Sequence, residues 1–276
     1  MKNLIVYPTD FSRCAENALT FAVPLAKVLN CTLKVVHYID FIGISDTEAH
    51  YRSVLEEIGK IEREASIKLK KLQRQVEKQE VKCEFQVIKG RNISEHTEFL
   101  EELDPRFVVM GTTGSGSFEN KVMGSLTYKV IKHTYLPVLA IPEKATFQGI
   151  RKIVFATDYE NKDLDSIGSL AEIAKHFNAA IEVVHICEDP DYDKSEQVFF
   201  DDYRKFISKR TDYQNIDFKL LHWKNVEERL AIFLNDSQAD LLAMITRKRN
   251  FFDRLFHGSL AKKMIYHTHI PLFVFS

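Results

Sequence analysis

The stretch Gly111-Thr-Thr-Gly114-Ser-Gly-Ser-Phe-Glu-Asn-Lys-Val-Met-Gly124-Ser125 carries residue types and a spacing suited to cradling a phosphate. Its key residues fall as G-x2-G-x9-G-S, after the apolar run Arg106-Phe-Val-Val-Met110 and before a helically patterned segment at 126–133. A buried strand that opens into such a loop and then a helix aims backbone N–H groups and the positive helix end at one point. Glycine there lets an anion approach the main chain closely. Glycines also build tight turns that hold nothing. The complete spacing and the helix that follows favour nucleotide binding over a bare turn. Asp10 follows the first apolar run and would face the same rim, where it contacts a nucleoside or, more simply, caps the first helix. Tyr38 ends the second apolar run and contributes mainly its backbone. Its ring either stacks on a base or covers the edge of the sheet.

Those residues are presented by a chain written twice. Val6-Tyr-Pro-Thr-Asp10-Phe matches Val154-Phe-Ala-Thr-Asp158-Tyr, and Val35-Val-His37 matches Val183-Val-His185, both at a separation of 148. Gly124-Ser-Leu matches Gly258-Ser-Leu, and His133-Thr-Tyr-Leu-Pro137 matches His267-Thr-His-Ile-Pro271, both at a separation of 134. The second copy is therefore 14 residues shorter between its second strand and its loop. We expect domains at 1–145 and 150–276, joined by a short polar linker. The second loop is degenerate. Ile245 stands where the first copy has Gly111, Lys248 where it has Gly114, Ala261 where it has Thr127, and Ala156 where it has Pro8. A β-branched residue at a position of close approach should block the cradle. The cluster Arg247-Lys248-Arg249 with Arg254 could hold a different anion, but a solvated basic loop is the favoured reading.

Each copy alternates apolar runs with helical periodicity. In the first, strands are expected at 4–7, 32–38, 82–89, 107–110 and 137–141, and helices at 15–29, 47–78, 93–102 and 124–134. Ser12 is a plausible cap of the first helix, and Ser94 stands near the start of the third. The long helix places Leu55, Ile58, Ile61, Ala65, Leu69, Leu72 and Val76 on one stripe. The second copy repeats the order, with strands at 152–156, 180–186, 217–222, 241–245 and 271–275. Its helices are expected at 164–177, 195–209, 226–234 and 259–268. The fold class is α/β: two tandem Rossmann-like domains, each a five-stranded, mainly parallel sheet with helices on both faces. Ligands in such sheets sit beyond the carboxyl ends of the strands, at a switch in strand order.

Composition removes other classes. With 38 Lys and Arg against 39 Asp and Glu, the net charge of −1 is unsuited to broad nucleic-acid or membrane-surface binding. No apolar run has transmembrane length, and the first residues reach a proline and an acid too soon for a secretory signal. The four scattered cysteines include no C-x-x-C pair, which fits a reducing cytoplasm. No H-E-x-x-H, G-x-S-x-G or Walker G-x4-G-K-[ST] sequence occurs. In His267-x-His269 the first histidine belongs to the repeat, matching His133, and reads as packing or as a helix C-terminal cation, so no metal ligands are assigned.

Taken together and in order, these motifs resemble the universal stress protein family in its tandem two-domain form, over nearly the whole chain. The likeness rests on Tyr7-Pro-Thr-Asp10-Phe-Ser, Val36-His37-Tyr38, the complete glycine loop and Leu136-Pro-Val-Leu-Ala-Ile-Pro142. The resemblance implies the adenine nucleotide alpha hydrolase-like version of the fold and ATP as ligand, with magnesium held by phosphate oxygens and water. Carried over by position, it implicates Pro8, Thr9, Asp10, Tyr38, Met110, Gly111, Gly114, Gly124, Ser125 and Thr127. It supplies no catalytic residue. The leading expectation is a non-catalytic, ATP-binding regulatory protein of stress physiology, with one nucleotide in the first copy. A slow ATPase or a nucleotidyl or phosphoryl transferase is the enzymatic alternative, with Asp10 the placed acid and Lys121 the nearest loop cation. A scaffold acting through helix surfaces is the third. The strands after Pro137 and Pro271 are natural sheet edges whose pairing would make an intramolecular pseudo-dimer, with a homodimer left open.

Overall fold

In the computed structural model, residues 2–40, 48–90, 92–112, 125–159, 163–187, 194–245 and 269–275 are described. The chain divides into two compact units, Met1–Glu143 and Lys144–Ser276. The N-terminal unit contains strands β1 (Leu4–Pro8), β2 (Thr32–Asp40), β3 (Cys83–Gly90), β4 (Phe107–Gly111) and β5 (Val138–Ile141). Between them run helices α1 (Arg13–Val28), α2 (Glu48–Glu77), α3 (Ile93–Glu102) and α4 (Ser125–His133). The strands are parallel, in the order β3-β2-β1-β4-β5. Ile5, Val6 and Tyr7 are all fully buried, as are Val108 and Val109. Consecutive buried residues in a strand require cover on both faces, which only crossover helices can provide in a parallel sheet. The order reverses between β1 and β4, so their carboxyl ends flank the crevice where such sheets take ligands.

The C-terminal unit repeats this plan. It contains β6 (Lys152–Ala156), α5 (Asp163–Phe177), β7 (Ala180–Cys187), α6 (Lys194–Ser208), β8 (Ile216–His222), α7 (Val226–Ser237), β9 (Leu241–Ile245) and β10 (Leu272–Phe275). Its parallel strands lie in the order β10-β9-β6-β7-β8. The two α/β sheets match the expected fold class. The helix anticipated at 259–268 lies outside the described residues. Among the described residues no helix is long and apolar enough to cross a membrane.

Caps set several element starts. Ser12 caps α1 as expected, its Oγ accepting from Ala15 N at 3.2 Å. At α3 the cap is Asn92, not Ser94: Asn92 Oδ1 accepts from Glu95 N at 3.1 Å. Asn225 caps α7 in the same way, accepting from Glu228 N at 2.8 Å. The stripe expected on α2 is only partly buried. Ile58, Ala65, Leu69 and Val76 are inside, whereas Leu55 and Ile61 are 48% and 42% exposed. A helix of 30 residues is about 45 Å long and outruns a nine-residue strand of about 30 Å, so a sheet of such strands cannot cover its whole stripe.

Candidate functional site

At the exit of β1 the chain makes a tightly specified turn. Thr9 N donates to Val36 O at 2.8 Å, extending the ladder one residue past the strand. Thr9 Oγ1 accepts from Phe11 N at 3.1 Å, and Asp10 Oδ1 accepts from Ser12 N at 3.0 Å. Between these bonds Phe11 sits at φ 60°, a left-handed conformation that costs a residue with a Cβ roughly 1–2 kcal/mol and persists only when its surroundings impose it. Its ring packs on His37 with centroids 4.6 Å apart, and Lys68 Nζ lies 5.1 Å from its centroid. His37 Nδ1 lies 2.7 Å from Thr9 O. A carbonyl can only accept, so Nδ1 carries the hydrogen. Behind the turn, the fully buried Tyr7 donates its hydroxyl to Ala15 O at 2.6 Å. Burial raises the Tyr7 pKa well above the usual phenol range, so it remains a donor. Pro8 and Thr9 are buried, and Asp10 is exposed at the rim.

At the exit of β4, Met110 is buried and Gly111 is pressed against the start of α1. A Cβ at 111 would stand 2.8 Å from Cys14 Sγ and 2.9 Å from both the carbonyl carbon and oxygen of Cys14. Glycine is thus required here by helix packing, a cause that sequence spacing alone does not reveal. Thr127, buried on the first turn of α4, donates its hydroxyl to Gly111 O at 2.7 Å and ties that helix to the strand end. Because α4 begins at Ser125, its unbonded N–H groups and positive dipole end lie next to this tie. Gly114 and Gly124 fall outside the described residues.

Tyr38 lies on β2, the strand beside β1. Its ring stacks on His96 of α3 with centroids 4.1 Å apart and planes 21° apart, and its hydroxyl donates to His96 O at 3.3 Å. The ring therefore covers the sheet beneath α3. His96 is 2% exposed, with Nε2 at 3.0 Å from Asp40 Oδ1. Burial lowers its pKa, against the opposing pull of the Asp40 and Glu95 carboxylates. Of the residues singled out in the sequence, Pro8, Thr9, Asp10, Met110, Gly111 and Thr127 gather at two neighbouring strand exits. Cys14, Phe11 and His96 were not singled out. The left-handed turn at Phe11 and the burial of His96 are three-dimensional facts with no sequence signal.

The C-terminal unit has the same first turn and a different surround. Thr157 Oγ1 accepts from Tyr159 N at 2.8 Å, Tyr159 has φ 60°, and His185 Nδ1 lies 2.7 Å from Thr157 O. Here, however, Phe155 takes the place of Tyr7, and Asp163 that of Ala15. Asp163 is 1% exposed; its Oδ2 accepts from Thr157 Oγ1 and, at 2.6 Å, from the Tyr203 hydroxyl. Tyr159 stacks on His185 at 4.1 Å and leans on Tyr203 at 5.1 Å. His185 Nε2 lies 3.2 Å from Glu196 Oε1. Burial first, then the Glu196 carboxylate for Tyr159 and the Asp163 carboxylate for Tyr203, raise both phenols well above their usual range. The exit of β6 is thus packed with aromatic rings and acids. Ile245 ends β9 as Gly111 ends β4, while Lys248, Gly258, Ser259, Ala261 and the basic cluster fall outside the described residues. Among the described residues no three or more His, Cys, Asp or Glu side chains are grouped to hold a metal.

The family model described as "Universal stress protein family" matches residues 1–142 and again 149–276. Universal stress protein MJ0531 of Methanocaldococcus jannaschii is 31% identical over 140 residues, covering 50% of this chain and 80% of that protein. Universal stress protein MJ0577 of the same organism is 25% identical over 157 residues, covering 52% of this chain and 97% of that protein. Among solved structures, a universal stress protein from Archaeoglobus fulgidus covers 100% of this chain and 99% of its own, with TM-score 0.75 at 16% identity, a likeness of fold.

Proposed function

The chain belongs to the universal stress protein family, and from that premise we propose that its N-terminal unit binds ATP as a regulatory ligand, without chemistry on it. The observation that carries this reading is the exit of β4. A strand end with no Cβ, tied through Thr127 to the start of α4, runs into the loop that spaces Gly114 and Gly124. Triphosphate oxygens would meet the loop amides and the first turn of α4, with Ser125 and Thr127 at its mouth. The nucleoside would lie toward Pro8, Thr9, exposed Asp10 and the backbone at Tyr38. Magnesium would ride on phosphate oxygens and water.

On the same reasoning the C-terminal unit takes no ATP in this manner. Ile245 brings a β-branched side chain to the strand end, and Tyr159, Tyr203 and Asp163 crowd the neighbouring exit. A cytoplasmic setting suits four cysteines that are all unpaired. Isothermal titration of nucleotide-free protein with ATP tests the reading. One site is expected, lost in Gly114→Lys, which copies the second loop. No heat, two equal sites, or undiminished binding in Gly114→Lys would each overturn it.

A further inference from the structure

We propose that His37 is a positioning residue for the nucleotide site: its Nδ1–H bond to Thr9 O holds the turn that presents Asp10. The inference rests on the ATP reading for its functional half only. Asp10 has no helix or strand of its own to fix it. It stands between Thr9, whose carbonyl His37 grips at 2.7 Å, and Phe11, whose left-handed backbone requires outside support. His37 supplies that support chiefly through its hydrogen bond. It donates to the carbonyl before Asp10, and it offers a ring against which the Phe11 ring packs at 4.6 Å. The turn's internal bonds, Phe11 N to Thr9 Oγ1 and Ser12 N to Asp10 Oδ1, then set the direction of the Asp10 carboxylate. Ser12 passes the same constraint to α1 by capping it, and the start of α1 is the wall that Gly111 abuts. One side chain on β2 thereby bears on both the acid at the rim and the helix start that Gly111 abuts.

The C-terminal unit supplies the control. His185 makes the same bond to Thr157 O at 2.7 Å and carries Tyr159 at φ 60°, in a unit assigned no nucleotide. A tether that serves only the fold would cost each unit alike in stability, so a positioning role for His37 shows as lost nucleotide affinity in a variant that stays folded.

The test uses the full chain and MgATP as probe. His37→Phe keeps a ring beneath Phe11 and removes the donor. His37→Asn keeps a donor near the Nδ1 position and removes the ring. His185→Phe removes the donor from the other unit. His37→Phe is expected to weaken ATP binding roughly three- to tenfold, the range for one lost hydrogen bond. His37→Asn should stay within about twofold of the wild type on the same scale, and His185→Phe should bind as the wild type does. Amide exchange at Phe11 and Ser12 should accelerate in His37→Phe and not in His37→Asn. Equal weakening by His185→Phe, wild-type affinity in His37→Phe, or an unfolded His37→Phe beside a folded His37→Asn would overturn the proposal. If the wild type binds no ATP, the functional reading fails by itself. The exchange arm still decides whether His37 holds the turn: acceleration sustains the tether, and unchanged exchange removes it.

Discussion

The exits of β1 and β6 are built from the same three contacts and then filled in opposite ways. In both, a threonine hydroxyl accepts the amide two residues on, a histidine donates to the threonine carbonyl, and an aromatic residue takes the left-handed conformation between them. The hydroxyl facing α1 comes from a strand residue, Tyr7, whereas its counterpart on the C-terminal side is a carboxylate from the helix, Asp163. The exchanges Tyr7 to Phe155 and Ala15 to Asp163 are thus one coordinated change: each unit keeps a polar partner behind its threonine. Only the second recruits Tyr203 from α6 and closes over the strand exit. The turn is therefore a device of the fold, and what differs between the units is what surrounds it.

The comparison breaks most severely at Asp163. Asp163→Ala leaves the buried hydroxyls of Thr157 and Tyr203 without their acceptor and should cost about 3 kcal/mol. Hydrogen exchange should place that loss in the C-terminal unit alone; protection lost equally in both units would contradict it. Next comes Gly111→Ile, which gives the N-terminal unit the residue its repeat carries. The new Cβ meets the backbone of Cys14, so we expect a loss of about 2 kcal/mol by urea unfolding, with loss of ATP binding. Unchanged stability would show that α1 yields freely. Tyr7→Phe copies Phe155 without supplying the carboxylate. Losing the bond to Ala15 O should cost about 1 kcal/mol, read as a lower denaturation midpoint of the N-terminal unit.

The smallest effect is a pH response. His96, four residues after the cap of α3, is buried, with its pKa lowered chiefly by burial, while the fourth residue after the equivalent cap on α7 is Arg229. Below the ordinary imidazole pKa of about 6.5 the unfolded chain takes up a proton that the folded unit resists. This contribution to stability is therefore full above that pH and falls as pH drops through it. The urea midpoint of the N-terminal unit should decline between neutral and mildly acidic pH, and His96→Gln should flatten the decline. A steeper decline in the variant would reverse the sign.

Much of this was legible beforehand. The alternation of apolar runs and helical periods located both sheets, and the start and end of α3 could be read directly from Ile93 to Glu102. The repeat aligned Asp10 with Asp158 and His37 with His185. Other features escaped. The spacing offers Gly111 as room for a ligand, yet a Cβ there would first meet Cys14, through its Sγ and its carbonyl, 97 positions earlier in the sequence. The sequence leaves the Tyr38 ring free to stack on a base or to cover the sheet, and in the fold it stacks on His96. Leu55 and Ile61 fit the apolar period of α2 yet stand exposed, while Ile58 between them is buried.

Local sequence determined what depends on neighbours along the chain: strand and helix, cap and turn, and the order in which the units were copied. Period, capping and φ preference act over a few residues and leave their mark there. Tertiary structure alone decided which side chains share a crevice, because Tyr203 reaches Asp163 across 40 positions and Thr127 reaches Gly111 across 16. Burial then fixes which polar groups must be paired, since an unpaired one out of water is costly, and no spacing along the chain records that requirement.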